Sequence, residues 1–239
     1  MMQSYTETLP NGHSFEMIYI QGGSFMMGDN ALDDAIIHKV TLSDYWLGQY
    51  PVTQGLWKAV MGENPAHFRG DALPVESVSW EDAQEFIKEL NALTDKKYNL
   101  PSEAQWEYAA CGGIYQEDHS LEYAGSNQLE EVGWFDYDRE GSYQSTMPPG
   151  LKAPNALGVY DMSGNVFEWC LDAYNKDFYK KPEAKRLNPL NNNYELSPYR
   201  CLRGGSWDFN VNNCQVRDRD NYGPWGRFNY YGFRLVRTL

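Results

Sequence analysis

Residues 154–172 read PNALGVYDMSGNVFEWCLD, and this stretch decides what kind of fold the chain can have. Pro154, Gly158 and Gly164 interrupt any helical run, and Asn and Asp fill the gaps between apolar residues. Asp161 suits the cap of a turn, and Glu168 suits a pairing with an arginine. Everything after residue 113 shares this character: short strands, long loops and frequent Gly, Pro, Asn and Asp. Long loops in a compact domain are usually functional or pinned by packing. This half is expected to hold its shape through side-chain hydrogen bonds and tryptophans, with a metal as a further option.

The first half is more regular. Thr53 caps TQGLWKAVMG, which stops at Gly62. Ser79 and Asp82 form a capping-box pattern that opens SWEDAQEFIKELNALTD. There Trp80, Ala83, Phe86, Ile87, Leu90 and Leu93 recur at helical spacing on one face. Ser102 with Gln105 opens SEAQWEYAAC, and Gly112-Gly113 ends it. Residues 16–27, EMIYIQGGSFMM, read as two strands broken at Gly22-Gly23, and VTLSDYWLGQYPVT (40–53) reads as another strand pair. Helices and short strands together give an α+β class.

The chain has 239 residues and a net charge of −13, with 42% hydrophobic, 22% charged and 15% aromatic residues. A domain of this size buries enough surface to fold without staples. Its negative field repels phosphate backbones and anionic lipid, so nucleic acid is not an expected partner. No apolar run approaches the ~20 residues that span a bilayer. The N-terminal MMQSYTETLPNG has neither a basic nor an apolar leader region. The protein is therefore expected to be cytoplasmic, or else to have had a leader replaced at the doubled Met.

Cys111, Cys170, Cys201 and Cys214 form no CxxC pair and lack zinc-ligand spacing with His13, His38, His67 and His119. They read as buried free thiols. One disulfide involving Cys201 is the alternative. The acid pairs Asp33-Asp34 and Glu130-Glu131, and the run DYDRE (136–140), read as solvated surface. The glycine pairs lack the Lys-Ser/Thr ending of a phosphate loop.

Residues 208–231, DFNVNNCQVRDRDNYGPWGRFNYY, stand out by composition. Five Asn, three Asp and six aromatics occupy 24 positions, with no Lys, Glu, Ala, Leu, Ile, Ser or Thr. Turn formation explains the Asn and Asp. It does not explain six aromatics among almost no aliphatics. Rigid aromatic anchors beside adaptable polar residues are the bias of binding loops.

Four stretches together, NLPSEAQWEYAACGG (99–113), PNALGVYDMSGNVFEWCLD (154–172), RGGSW (203–207) and GFRLV (232–236), resemble the formylglycine-generating-enzyme (sulfatase-modifying factor) family. MIYIQGGSFMMG and the Trp46 to Trp57 region match it as well. The resemblance runs from about residue 15 to the end. It implies a C-type-lectin-like fold over a single domain, 1–239, with small antiparallel sheets, two to three helices and much irregular structure.

Enzymes of this family bind copper(I) through two cysteines shortly after GGS and oxidise a peptide cysteine. Here Cys214 falls at the second position and Phe209 at the first. One thiolate makes a poor copper site, so no copper and no catalytic residues are expected. Cysteine oxidation by Cys214 alone is the enzymatic alternative. An iron-dependent branch of the family relies on a His-rich partner domain, and the His here are few and scattered. A cytosolic scaffold or regulatory module is a third reading.

Bounded by GGSW and GFR, the segment also resembles the variable region of diversity-generating-retroelement proteins. That resemblance implies a ligand-binding display protein with a retroelement-diversified surface within 203–236. Its partner would be a protein or other macromolecule, and the domain a monomer on the cell surface, held by an N-terminal lipid anchor. The residues expected to touch the ligand are Asp208, Phe209, Asn210, Asn212, Asn213, Asp218, Asp220, Asn221, Tyr222, Phe228, Asn229, Tyr230 and Tyr231. Gly204, Gly205, Gly232, Phe233, Arg234 and Arg217 are expected to be framework, and Pro224-Trp225 a framework turn. The resemblance further implies a structural Ca²⁺ held by Asp161, Gly164, Val166 and Glu168. Oxygen-only ligands suit that ion. A second calcium site of the family has no match in GWFDYDREGSYQS.

Overall fold

The computed structural model describes residues 3–115, 120–136 and 144–239. His119 and most of the DYDRE run lie outside the described residues. In chain order the elements are β1 (Ser4–Thr8), β2 (Ser14–Ile20), β3 (Gly23–Met27), β4 (His38–Leu42), β5 (Tyr45–Gly48), α1 (Gln54–Met61), α2 (Trp80–Thr94), β6 (Tyr98–Asn99) and α3 (Glu103–Ala110). There follow α4 (Leu129–Val132), β7 (Phe167–Ala173), β8 (Arg200–Arg203), β9 (Asp220–Tyr222), β10 (Tyr231–Gly232) and β11 (Val236–Thr238).

The helices start where the capping residues place them. Thr53 Oγ1 accepts the Leu56 N–H, and the Ser79–Asp82 and Ser102–Gln105 boxes are closed in both directions. Each satisfies backbone donors that the first helical turn leaves orphaned. On α2 the residues Ala83, Phe86, Ile87 and Leu90 are buried, whereas Leu93 in the last turn is 41% exposed. Trp57 of α1 stacks on Phe86 with ring centroids 5.1 Å apart, and Phe233 closes on both rings.

Among the described residues three sheets form, in the orders β1-β2-β5-β11-β6, β10-β7-β8-β9 and β3-β4. The two strands of residues 40–53 do not pair with each other. β4 pairs with β3, while β5 lies between β2 and β11, so the chain changes sheets at Ser43-Asp44. β11 enters the first sheet between β5 and β6 and joins the C-terminal strand to the N-terminal half. All four cysteines are free and buried. Among the described residues, no helix is long and apolar enough to cross a membrane.

The four-stranded sheet positions the candidate site. β7 lies between β10 and β8, and the short β9 forms the outer edge beside β8. Residues 204–230 leave this sheet after β8, return as β9, and rejoin it at β10.

Candidate functional site

The segment after β8 begins with two glycines at positive φ, +93° at Gly204 and +70° at Gly205. A Cβ on Gly205 would sit 2.5 Å from the Cys214 sulfur and 2.7 Å from the Asn213 carbonyl oxygen. One on Gly204 would meet the Trp106 ring at 2.9 Å. Only glycine fits both the conformation and the approach.

From there the backbone is tied to surrounding elements along its length. The Phe209 carbonyl accepts the Asp136 N–H at 2.9 Å, and the Val216 N–H donates to Glu122 O at 2.9 Å. Phe228 O accepts from Ser77 N at 2.9 Å and Tyr230 O from Phe167 N at 2.8 Å. The Trp207 indole donates to Asn229 O at 3.1 Å, bridging the two ends of the segment.

Buried arginines hold it from beneath. Arg203 Nη1 donates to Asp218 O at 3.0 Å, and its Nη2 donates to Val216 O at 2.9 Å and to the Glu107 carboxylate. Arg219 reaches Glu103 with Nε and Nη2 at 2.7 and 2.9 Å and Asp34 O with Nη1 at 2.5 Å. It lies over the Tyr179 ring at 4.2 Å. Burial raises the Glu103 carboxyl, and Arg219 and Arg203 more than reverse that, holding it below the usual carboxylate range. Arg217 donates to Leu121 O at 3.1 Å, which agrees with a framework role.

The expected contact residues then separate by exposure. Asp208, Asn210, Asn212 and Tyr222 are exposed. Phe209, Asn213, Asp218, Asp220, Asn221, Phe228, Asn229 and Tyr230 are half-buried. Tyr231 differs from the expectation: it is 4% exposed, because β10 pairs with β7 and turns the ring onto Phe167 and Trp169. It is a floor residue.

The half-exposed rings form one chain. Phe209 packs edge-on against Phe167 and Tyr230, at 4.9 and 5.2 Å between centroids. Tyr230 stacks on Phe228 at 5.3 Å and 15°, and Phe228 meets Tyr222 edge-on at 5.1 Å.

Trp225, read from the sequence as part of a framework turn, is 58% exposed. The turn is tight, with Gly226 N–H donating to Gly223 O at 2.9 Å, and it carries the indole outward. The flanking glycines at 223 and 226 signal the turn but not the direction of the indole.

The model of the "Sulfatase-modifying factor enzyme 1-like domain" matches residues 3–239. This chain belongs to that family. It is 32% identical to "Chaperone protein LppX" of Paenibacillus barcinonensis, over 94% of this chain and 90% of that one. It is 30% identical to the formylglycine-generating enzyme of Thermomonospora curvata, covering 85% of this chain and 66% of that one. It spans 38% of the length of a matched Chlamydia trachomatis protein named serine/threonine-protein kinase Pkn1. Among solved structures, "Treponema denticola variable protein 1" superposes with a TM-score of 0.87 at 28% identity, covering 98% of both chains. The neighbours carry FGE-like, C-type-lectin-like folds, so the α+β reading of the sequence is borne out.

The two positions where the resemblance places copper cysteines are held here by Phe209 and Cys214. Cys214 is fully buried in a cluster with Tyr123, Leu129, Val132 and Phe135, and burial pushes its thiol up to about 12. Phe209 turns its ring onto Phe167 and offers no donor.

The arrangement around Glu168 does not fit a calcium ion. Arg234 takes both its oxygens, Nε to Oε2 at 2.6 Å and Nη2 to Oε1 at 2.7 Å, and the Trp106 indole donates to Oε2 at 2.6 Å. Asp161 accepts from Gly150 N at 2.8 Å and from the Asn165 amide at 3.2 Å. Burial pushes its carboxyl up to about 6. Ca²⁺ needs about six to eight oxygens free to face it. Here Gly164 and Val166 sit beside carboxylates already engaged. Among the described residues, no group of three or more His, Cys, Asp or Glu is placed to hold a metal.

Proposed function

We propose that this protein is a non-catalytic binder that displays the exposed and half-buried side chains of residues 208–231 to a macromolecular partner at a cell surface. The observation that carries this reading is the division of labour in the segment. Its backbone is held by the rest of the fold, and Arg203, Arg219, Cys214 and Tyr231 lie inward. Asp208, Asn210, Asn212, Tyr222 and Trp225 are exposed, and its remaining Asn, Asp and aromatic side chains, Tyr231 apart, are half-buried. Recognition by a few rigid aromatic anchors ringed by polar groups follows from such a surface. The likeness to the Treponema variable protein supports the reading.

Diversification by a retroelement is part of the proposal. Its test is genetic. A near-copy of the 3′ coding end, differing at adenines and lying beside a reverse transcriptase gene, is expected. If no such template exists, an ordinary binding domain remains.

The relatedness to formylglycine-generating enzymes favours a second reading, cysteine oxidation. Incubation with copper and a cysteine-containing sulfatase peptide separates the two. No aldehyde is expected. Aldehyde formation that disappears in Cys214→Ala would overturn the binding reading.

A further inference from the structure

We propose that the displayed face binds a cationic partner segment, its Arg or Lys side chains lying on the Phe209–Tyr230–Phe228–Tyr222 rings and pairing with Asp208, Asp218 and Asp220. This rests on the display reading and names the chemistry of the partner.

The rings supply the first half of the argument. Three successive ring contacts, at 5.2, 5.3 and 5.1 Å, join four half-exposed or exposed aromatics into one platform. Aromatic faces attract cations, and a guanidinium also stacks on them.

The carboxylates supply the second half. Asp208, Asp218 and Asp220 form no ion pair with any described residue. Asp218 receives the Asn213 amide at 3.4 Å and the Arg219 backbone N–H, with the Arg203 charge also acting on it, and Asp220 receives the backbone N–H of its neighbour Asn221 at 2.6 Å. Asp208 has Asp136 beside it, whose Oδ1 is buried without a hydrogen-bond partner among the described residues. Asp208 and Asp220 both bear on the Tyr230 hydroxyl, after burial itself, so they border the platform.

The cations nearest this face make their ion pairs or hydrogen bonds with other groups. Arg203 and Arg219 are buried against Glu107 and Glu103. Arg227 holds Asp82 through Nε at 2.6 Å and Nη2 at 2.7 Å, and Arg217 reaches to Leu121 O. Burial, the largest cause in each case, keeps the three Asp carboxyls above their usual range, so they are already partly desolvated. Covering them with an apolar partner would bury unpaired charge. An acidic partner would add repulsion to a chain of net charge −13. A basic segment instead supplies the missing counter-charges and is steered in by the same field.

The test uses the whole chain and synthetic decapeptides of arginine, of glutamate and of alternating glycine and serine, titrated by calorimetry at physiological salt. The arginine peptide is expected to bind. The triple variant Asp208→Asn/Asp218→Asn/Asp220→Asn is expected to weaken it at least about tenfold, as is Tyr230→Ala. A control triple, Asp33→Asn/Glu130→Gln/Glu195→Gln, removes as much charge from exposed sites elsewhere. It is expected to change affinity less than about twofold. Melting curves establish that every variant is folded.

Equal weakening by the two triples would show attraction to bare charge and overturn the proposal. No arginine-peptide binding would overturn it too. Binding of the glutamate or Gly-Ser peptide that is lost in Tyr230→Ala would overturn the cationic partner while leaving the display reading standing.

Discussion

Arg219 and Glu103 are joined across the fold by a two-point contact, with Nε–Oε1 at 2.7 Å and Nη2–Oε2 at 2.9 Å between buried side chains. One partner lies in the first turn of α3, the other in the middle of the display segment. The pair therefore fixes the height of β9 against the framework helix.

Arg219→Ala should leave Glu103 buried with only Arg203, 3.6 Å away, to balance it. Removing one member of a buried pair costs roughly 3–5 kcal/mol. Arg219→Lys should recover only part, since an ammonium cannot reproduce the fork. The urea unfolding midpoint of each variant measures this.

Tyr230 and Tyr231 should respond oppositely to truncation. Tyr231→Ala opens a hole beneath the sheet beside Trp169 and should cost about 3–5 kcal/mol. Tyr230→Ala should cost under about 1.5 kcal/mol, because its ring is half-exposed. It should nevertheless weaken arginine-peptide binding. Denaturant unfolding beside peptide titration resolves the two.

Asp172 should give stability a pH signature. Burial, then the charge of Glu103, pushes its carboxyl up to about 7. The unfolded chain holds that proton only below about pH 4. The folded state thus binds it more tightly, so the contribution is fully present below about pH 4 and is lost as pH rises through about 7. Asp172→Asn loses an acceptor for the Glu103 or Asn191 N–H at every pH. Its unfolding midpoint relative to the parent should nevertheless rise between pH 4 and pH 8. A flat difference would contradict the assignment.

Glu168 should behave as an ion-pair partner. Calcium or a chelator should leave the melting temperature unchanged, whereas Glu168→Gln should lower it, because Arg234 would then be buried without its counter-charge. Stabilisation by calcium that Glu168→Gln abolishes would restore the metal site.

The helices were legible because their signals are local. Ser79 with Asp82 and Ser102 with Gln105 announce boxes that close within three residues. Strand partnership was not legible, since β5 finds β11 almost two hundred residues away and nothing near residue 47 names Val236. The site shows the same split. Composition marks residues 208–231 as unusual, but it cannot separate Tyr230 from Tyr231. Their difference arises from the pairing of β10 with β7, a contact made with residues 167 and 168. The turn at Pro224-Trp225 was legible, but not the outward direction of the indole, since a tight turn can point it inward or outward with the same residues.

The hydrogen bonds that hold the segment at Phe209, Val216, Phe228 and Tyr230 are made by main-chain atoms. Any residue supplies the carbonyl at 209, 228 and 230, and any but proline supplies the N–H at 216. Exchange of side chains at Asp208, Asn212 or Tyr222 therefore leaves the same scaffold standing, and a population of such chains can explore many surfaces without losing members to misfolding. Mutational tolerance of this kind is a property of where the chain bonds its backbone, and it is what selection on a library would require.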